Sequence, residues 1–396
     1  MADGLLNKAS IILTPTGYKA GTLYNVAPID EPYEDFDFAR TSTATRINSS
    51  GLVSNVATGV PRISYDSNGD NGHILLEPTS TNLITYSEDF SQSSWINTYT
   101  LTPNSIISPD GSLNAYTITL PSVNGNLRTN VSVSSSTDYI FSFYAKRGTA
   151  SEMKYRVFDF TNFSDIVSKT SYYSQTDINN WVRIEVPFTT NATTSEVGLY
   201  IDSDSQGNGD FYAWGAQLEE LPYATSYIPT LTGSTETRAT ETATGAGSAD
   251  LINSTEGVLY GEISKAQDDN DNFIVISLNN DASNSDANSV TIGFDNGQDF
   301  YFRVKSPSGT YINATISANE NQFYKVALKY KSGDIAIWID GVEVATSTNT
   351  YSFAVTLDNL SFDLNGNGTL PFYGKVKALA VFNEALSDSE LTQLTT

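Results

Sequence analysis

Apolar side chains recur at every second position in run after run of this chain. Tyr139, Phe141 and Phe143 interleave with Ile140, Ser142 and Tyr144. Val182, Ile184, Val186 and Phe188 interleave with Trp181, Arg183, Glu185 and Pro187, and Val197, Leu199 and Ile201 with Glu196, Gly198 and Tyr200. A period of two puts alternate side chains on opposite faces of a strand, so each run has one face to bury. Turn signals such as Pro109-Asp110-Gly111 and Asn124-Gly125 separate the runs. Tyr (23) and Phe (19) are abundant, and both suit a pleated, half-buried surface. Short strands punctuated in this way predict sandwiches or jelly rolls.

The pattern divides the 396 residues into three segments and a linker. Residues 1–84 hold short stretches, Ser10-Ile-Ile-Leu-Thr-Pro15 and Ile74-Leu-Leu among them, and many turns. They read as an attachment or oligomerisation region with little core of its own. Residues 85–230 read as an all-β domain. Residues 231–250 carry almost no large apolar side chain, the composition of a linker or of an extended strap. Residues 251–396 form a second all-β domain. In it Ile335, Ile337 and Ile339 alternate with Ala336, Trp338 and Asp340, and Asp340-Gly341 predicts a tight hairpin. One helix is predicted, at the C-terminus, where Ser387 and Glu390 make a capping box ahead of Leu391 and Leu394. The expected fold is therefore all-β: a short N-terminal region, two β-sandwich domains and a short C-terminal helix.

Composition narrows the function. A net charge of −24, with 21 Lys and Arg against 45 acids, argues against nucleic-acid binding and against an anionic membrane surface. With no cysteine, disulfides, thiolate nucleophiles and cysteine metal sites are ruled out. This suits folding in a reducing cytoplasm. The single histidine, His73, rules out a two-histidine metal site within one chain and reads as a turn residue. No secretory leader or membrane insertion is expected, because no apolar run is long enough.

Two resemblances add a setting. One segment opens His73-Ile-Leu-Leu-Glu-Pro78-Thr-Ser-Thr-Asn82-Leu-Ile-Thr-Tyr86-Ser-Glu-Asp-Phe90. It closes Trp214-Gly-Ala-Gln-Leu-Glu219, then Tyr223-Ala-Thr-Ser-Tyr227-Ile-Pro229. These bookends resemble a segment of virion-associated proteins of tailed bacteriophages: tail fibres, head fibres and related appendages. The middle domain is similar to jelly-roll carbohydrate-binding modules. Phe323 to Tyr330, Ile335 to Gly341 and Gly374 to Ser387 resemble the concanavalin A-like lectin/glucanase fold in its laminin-G form. These resemblances imply a virion structural protein, a fibre or spike, displaying sandwiches for adhesion to surface glycans. They also imply capsid, tail or neck proteins as partners, a homo-oligomer of trimeric type, and assembly in the bacterial host cytoplasm. A purely structural decoration protein is the alternative and a polysaccharide depolymerase the second. Glucanases of the concanavalin-like fold carry Glu-x-Asp-x-x-Glu on one strand, and no such run occurs here. Nor is there a Gly-x-Ser-x-Gly elbow, so no catalytic residues are expected.

Sugar binding needs aromatic faces for stacking and polar groups for hydroxyls. Trp95, among Ser and Asn residues, Trp181 after Asn179-Asn180, and Trp338 beside Ala336 are the candidates. Each has a plain alternative as apolar cover. Asp202-Ser-Asp204-Ser-Gln206-Gly-Asn-Gly-Asp210 has the opening spacing of a calcium loop. Ala213 stands where an EF-hand glutamate belongs, so the choice lies between an isolated calcium loop and a polar hairpin tip. Asp268–Asn272 and Asn279–Asp286 raise the same choice and read as solvated loops.

Overall fold

A computed structural model of the chain describes residues 4–27, 34–121, 125–203, 207–265, 273–280, 287–297 and 299–396. Asn124, Asp204, Gln206 and the runs 268–272 and 281–286 lie outside them. The fold is all-β. Its strands pair antiparallel, and Asp388–Thr395 is the one α-helix among the described residues.

Two five-stranded sheets make the middle sandwich. One runs Trp95–Asn97, Asn126–Ser132, Glu196–Ser203, Lys154–Asp159, Ser164–Ser171. The other runs Thr100–Ile106, Ala115–Leu120, Gly209–Glu219, Asp138–Arg147, Val182–Thr189. The edge strand Val182–Thr189 keeps the expected alternation, with Ile184, Val186 and Phe188 buried and Glu185, Pro187 and Thr189 exposed. Its neighbour Asp138–Arg147 does not, since Ile140 and Ser142 are buried as well. Arg183 covers Ser142 from outside, donating to its Oγ (3.0 Å) and to the Thr225 carbonyl (2.6 Å).

The C-terminal sandwich is built from both ends of the chain. Its larger sheet runs Val342–Ser347, Ile335–Ile339, Tyr324–Lys331, Glu256–Lys265, Gly374–Phe382, His73–Leu76, Arg62–Ser64. Ala9–Leu13 also pairs with Gly374–Phe382. The facing sheet runs Gly309–Ile316, Phe300–Ser306, Ser289–Phe294, Ile274–Asn279, Asn359–Ser361. Ile11, Leu13, Phe36, Phe38, Ile63 and Ile74 from the N-terminal segment enter the core between these sheets. Burial stabilises by roughly 1.5–3 kcal/mol per large apolar side chain, and these short strands obtain it from the far end of the sequence.

Local signals hold where they were clearest. Asp340 and Gly341 take φ +45° and +82°, the left-handed pair a two-residue hairpin turn requires. Ser387 accepts from the Glu390 amide and the Glu390 side chain accepts from the Ser387 amide. The capped helix lays Leu391 and Leu394 over Trp338, Ala336 and Tyr260, closing the outer face of the larger sheet. Residues 231–250 run as an extended strap, with Glu236–Arg238 pairing Ser80–Asn82 and Thr242–Thr244 pairing Phe36–Ala39.

Candidate functional site

The paired bookends lock onto each other. Asn82 donates to the Ala216 and Ile228 carbonyls (3.1 and 2.9 Å) and accepts from the Leu218 amide (3.1 Å). Gln217 accepts from the Ile228 amide (2.6 Å), and the Ser87 and Tyr227 hydroxyls meet at 2.6 Å. Glu219 accepts from Ser80 (2.7 Å) and from the Thr225 amide (3.1 Å). These polar groups are buried, and burial without partners would be costly. That is why amides, hydroxyls and a carboxylate occupy these positions.

The same knot ends in a buried ion cluster. Arg40 meets Glu241 at 2.7 Å, and Arg62 grips Glu241 through two nitrogens. Glu77 takes Arg62 at 2.8 Å, Arg238 at 3.0 Å and the Ser226 amide at 2.8 Å. The two arginines keep the Glu77 carboxyl ionised against its burial, far below the usual carboxylate range. Three arginines face two glutamates, so the formal charge of the cluster is +1. Its members come from the N-terminal segment and the strap, which it ties together.

Above the cluster, the hairpin of Ala44–Ile47 and Val53–Val56 leans on the middle sandwich. The Val53 amide donates to the Pro109 carbonyl (3.0 Å), and Val53 packs with Trp214 and Tyr227. A cleft remains between them, in two compartments sharing Ile47, Val53, Tyr144 and Arg183. The outer one, about 680 Å³, is lined by Trp181, Tyr144, Asn68, Asp177, Asn179 and Asn180 among others. Trp181 is half-buried, its Nε1 donating to the Ile107 carbonyl (2.9 Å). Tyr144 stacks at a tilt on Trp214 with ring centres 5.5 Å apart. Asp177 caps the turn by accepting the Asn179 and Asn180 amides (2.6 and 2.8 Å), bonds that hold its carboxyl below the ordinary value. The inner compartment, about 210 Å³, reaches down to His73, Glu77 and Lys375.

The sequence candidates separate. Of the three tryptophans, Trp181 lines the cleft just described. Trp95 is 5% exposed; it starts a strand, meets Phe90 edge-on at 4.7 Å and donates to the Tyr86 carbonyl. Trp338 is 6% exposed under the C-terminal helix. Neither offers a face for stacking, because hydrophobic neighbours from elsewhere in the chain cover both. Asp202 accepts from the Tyr99 hydroxyl (2.6 Å) and the Lys154 amide (2.8 Å), whereas Asp210 accepts from Thr119 (2.6 Å). These two carboxylates thus serve different strands. Among the described residues no group of three acidic or histidine side chains is placed to hold a metal. His73 is a buried strand residue rather than a turn residue, and burial pushes its pKa down to about 4. Tyr144, Arg183, Arg46 and Lys375 escaped the sequence reading. The available signal was Tyr144 and Arg183 facing outward on adjacent strands, where they are register partners.

Residues 263–392 match the family model described as the concanavalin A-like lectin/glucanases superfamily. No match was found among curated proteins. Among solved structures, domain 4 of a GH43 extracellular arabinanase from Geobacillus stearothermophilus, in complex with arabinotriose, is 17% identical. It aligns over 40% of this chain and 73% of its own, with a TM-score of 0.32. The Ruminococcus gnavus IT-sialidase CBM40 bound to α2,3-sialyllactose is 18% identical, over 37% and 85%, at 0.32. The enzymatically active domain of tailspike protein 4 of bacteriophage CBA120 is 13% identical, over 35% and 21%, at 0.28. Similarity at this level speaks to neither ligand nor activity. No described helix is long and apolar enough to cross a membrane.

Proposed function

We propose that this chain is a virion appendage protein of a tailed bacteriophage that binds surface glycans through the cleft between its hairpin and its middle sandwich. One observation carries the binding: an aromatic pair, Trp181 and Tyr144, shares a cleft with the amides of Asn68, Asn179 and Asn180. An apolar ring face and hydroxyl-reading amides are what a pyranose needs. The lectin/glucanase match over residues 263–392 supports a sugar-related class, and the bookend motifs support the virion setting. Hydrolysis fits less well, because it needs two carboxylates flanking one bond. The acids lining the cleft are Asp177, which caps its own turn, and Glu77, which two arginines hold. The expected assembly is a trimer anchored to other virion proteins, with several weak sites acting together.

The test is a glycan array probed with the full chain, followed by titration of any hit. Trp181→Ala should weaken binding by about tenfold or more, a loss within the range of one stacking contact. Silence across the array would defeat the glycan reading. Labelled electron microscopy of the parent particle would test the virion setting separately.

A further inference from the structure

The inner compartment departs from the rest of the molecule in charge. In a chain of net charge −24, Arg46, Arg183 and Lys375 converge on a cavity of about 210 Å³. Among the described residues none of the three has a carboxylate partner at ion-pair distance; the pairs nearby belong to Arg40, Arg62 and Arg238. Arg183 donates to the Thr225 carbonyl and the Ser142 hydroxyl, and Arg46 to the Ile63 carbonyl (3.1 Å). The Nε of each is buried without an acceptor. Among the described residues Lys375 donates only to the Asn321 side chain (2.8 Å). Burial pulls the Lys375 pKa down, Glu77 opposing, so its charge is short of compensation.

The acids acting on this region are outnumbered by the cations. Tyr144, Glu185, Glu219 and Glu77 together raise the Arg183 pKa against its burial, so Arg183 is held charged without an ion pair, and Glu241 lies in the cluster below. Asp66 and Lys377 act on His73, which lines the compartment, so set against Glu77, Glu185, Glu219, Glu241 and Asp66 are Arg46, Arg183, Lys375, Lys377, Arg40, Arg62 and Arg238, seven cations to five anions. His73 is neutral at physiological pH, and because its Nδ1 donates to the Asn71 carbonyl (2.8 Å), its Nε2 is an acceptor.

We propose that the inner compartment receives an anionic group of a saccharide, a carboxylate, sulfate or phosphate, on Arg46, Arg183 and Lys375, so that the glycan recognised is an acidic one. This rests on the glycan reading above and specifies its ligand. A guanidinium meets an oxyanion in a planar, charge-assisted geometry, and its charge acts on the cavity even where its Nε is itself buried. The volume lies below the ~300–1,000 Å³ of pockets that enclose drug-sized ligands, so it suits one substituted ring while the rest of the chain lies along Trp181 outside. Acidic surface polysaccharides would otherwise be repelled by this protein, and a local excess of cations overcomes that repulsion at one place.

The test uses the full chain and matched pairs of glycans: uronic-acid oligosaccharides with their carboxyl-reduced forms, sulfated ones before and after desulfation, and phosphorylated ones before and after phosphatase. The pair that loses binding identifies the oxyanion. Removal of the charge should weaken binding by about tenfold or more, and rising salt should weaken it further. Lys375→Gln and Arg46→Gln should each reduce affinity for the charged member about fivefold or more, with little effect on the neutral one. Because neutralising the ligand leaves the protein untouched, the outcome stands even if a variant misfolds. Equal binding of charged and neutral partners, with Trp181→Ala still harmful, would overturn the proposal and leave the glycan reading intact. Acidic-glycan binding indifferent to both substitutions would place the anion elsewhere and overturn it too. Silence on every pair would remove the glycan reading and this proposal together.

Discussion

His73 is buried and Glu88 half-buried, and loss of solvent shifts them in opposite directions. Burial raises the Glu88 carboxyl from near 4.5 to about 7, against the Tyr227 hydroxyl bond and with Asp110 adding to the rise. Its folded form holds a proton that the unfolded chain has lost. The stability it contributes is therefore complete below about pH 4.5 and declines as pH rises through about 7. Glu88→Gln should flatten that decline, recovering at most about 3 kcal/mol at pH 8, less whatever solvent access screens. Urea midpoints at pH 5 and pH 8 would show it. His73 works the other way: with its pKa lowered from 6.5 to about 4, its contribution is present above about pH 6.5 and disappears as pH falls toward 4. Its substitution by Gln should blunt the acid limb of the same curve. Neither shift is legible in the sequence, where Glu88 sits in a polar run and His73 follows Asn71-Gly72.

Hairpins and the helix are governed by short-range rules, and their energetics should follow. Gly341→Ala places a Cβ 2.8 Å from the Thr396 hydroxyl at φ +82°, and should cost about 1–2 kcal/mol in thermal unfolding. Ser387→Ala removes the capping box and should cost about 1 kcal/mol. Leu391→Ala, fully buried against the sheet, should cost about 2–5 kcal/mol. If the Leu391 change were milder than the cap, the helix would be an ornament on the sandwich rather than part of it. Hydrogen exchange on Ile335–Ile339 would report the same loosening. The strand alternation was legible only where one face meets water, as at Val182–Thr189. Asp138–Arg147 is covered on both faces, and no period of two announces which neighbour does the covering.

At the scale of the molecule, the ion cluster joins segments far apart in sequence. Glu241→Gln should leave Arg40 and Arg62 buried and underpaired, a loss of about 3–5 kcal/mol visible as a lower unfolding midpoint. The larger sheet also depends on both ends of the chain. A fragment beginning at residue 251 lacks Ala9–Leu13 and His73–Leu76, both partners of Gly374–Phe382. It should expose that strand's edge and aggregate, whereas the full chain should elute as a defined species in size-exclusion chromatography.

The amino-acid order by itself determined the all-β class, the Asp340-Gly341 turn and the capped helix, because each depends on residues within a few positions of one another. It also marked Trp181, Trp95 and Trp338 alike as candidates for stacking on a sugar. Only tertiary structure separated them, since exposure depends on what packs against a side chain: Phe90 covers one, the C-terminal helix another, and the third is left at a cleft edge. The cleft draws on residues from Thr45 to Lys375. Its unpaired cations are visible in the sequence only as scattered Arg and Lys, because charge compensation is a matter of distance in space.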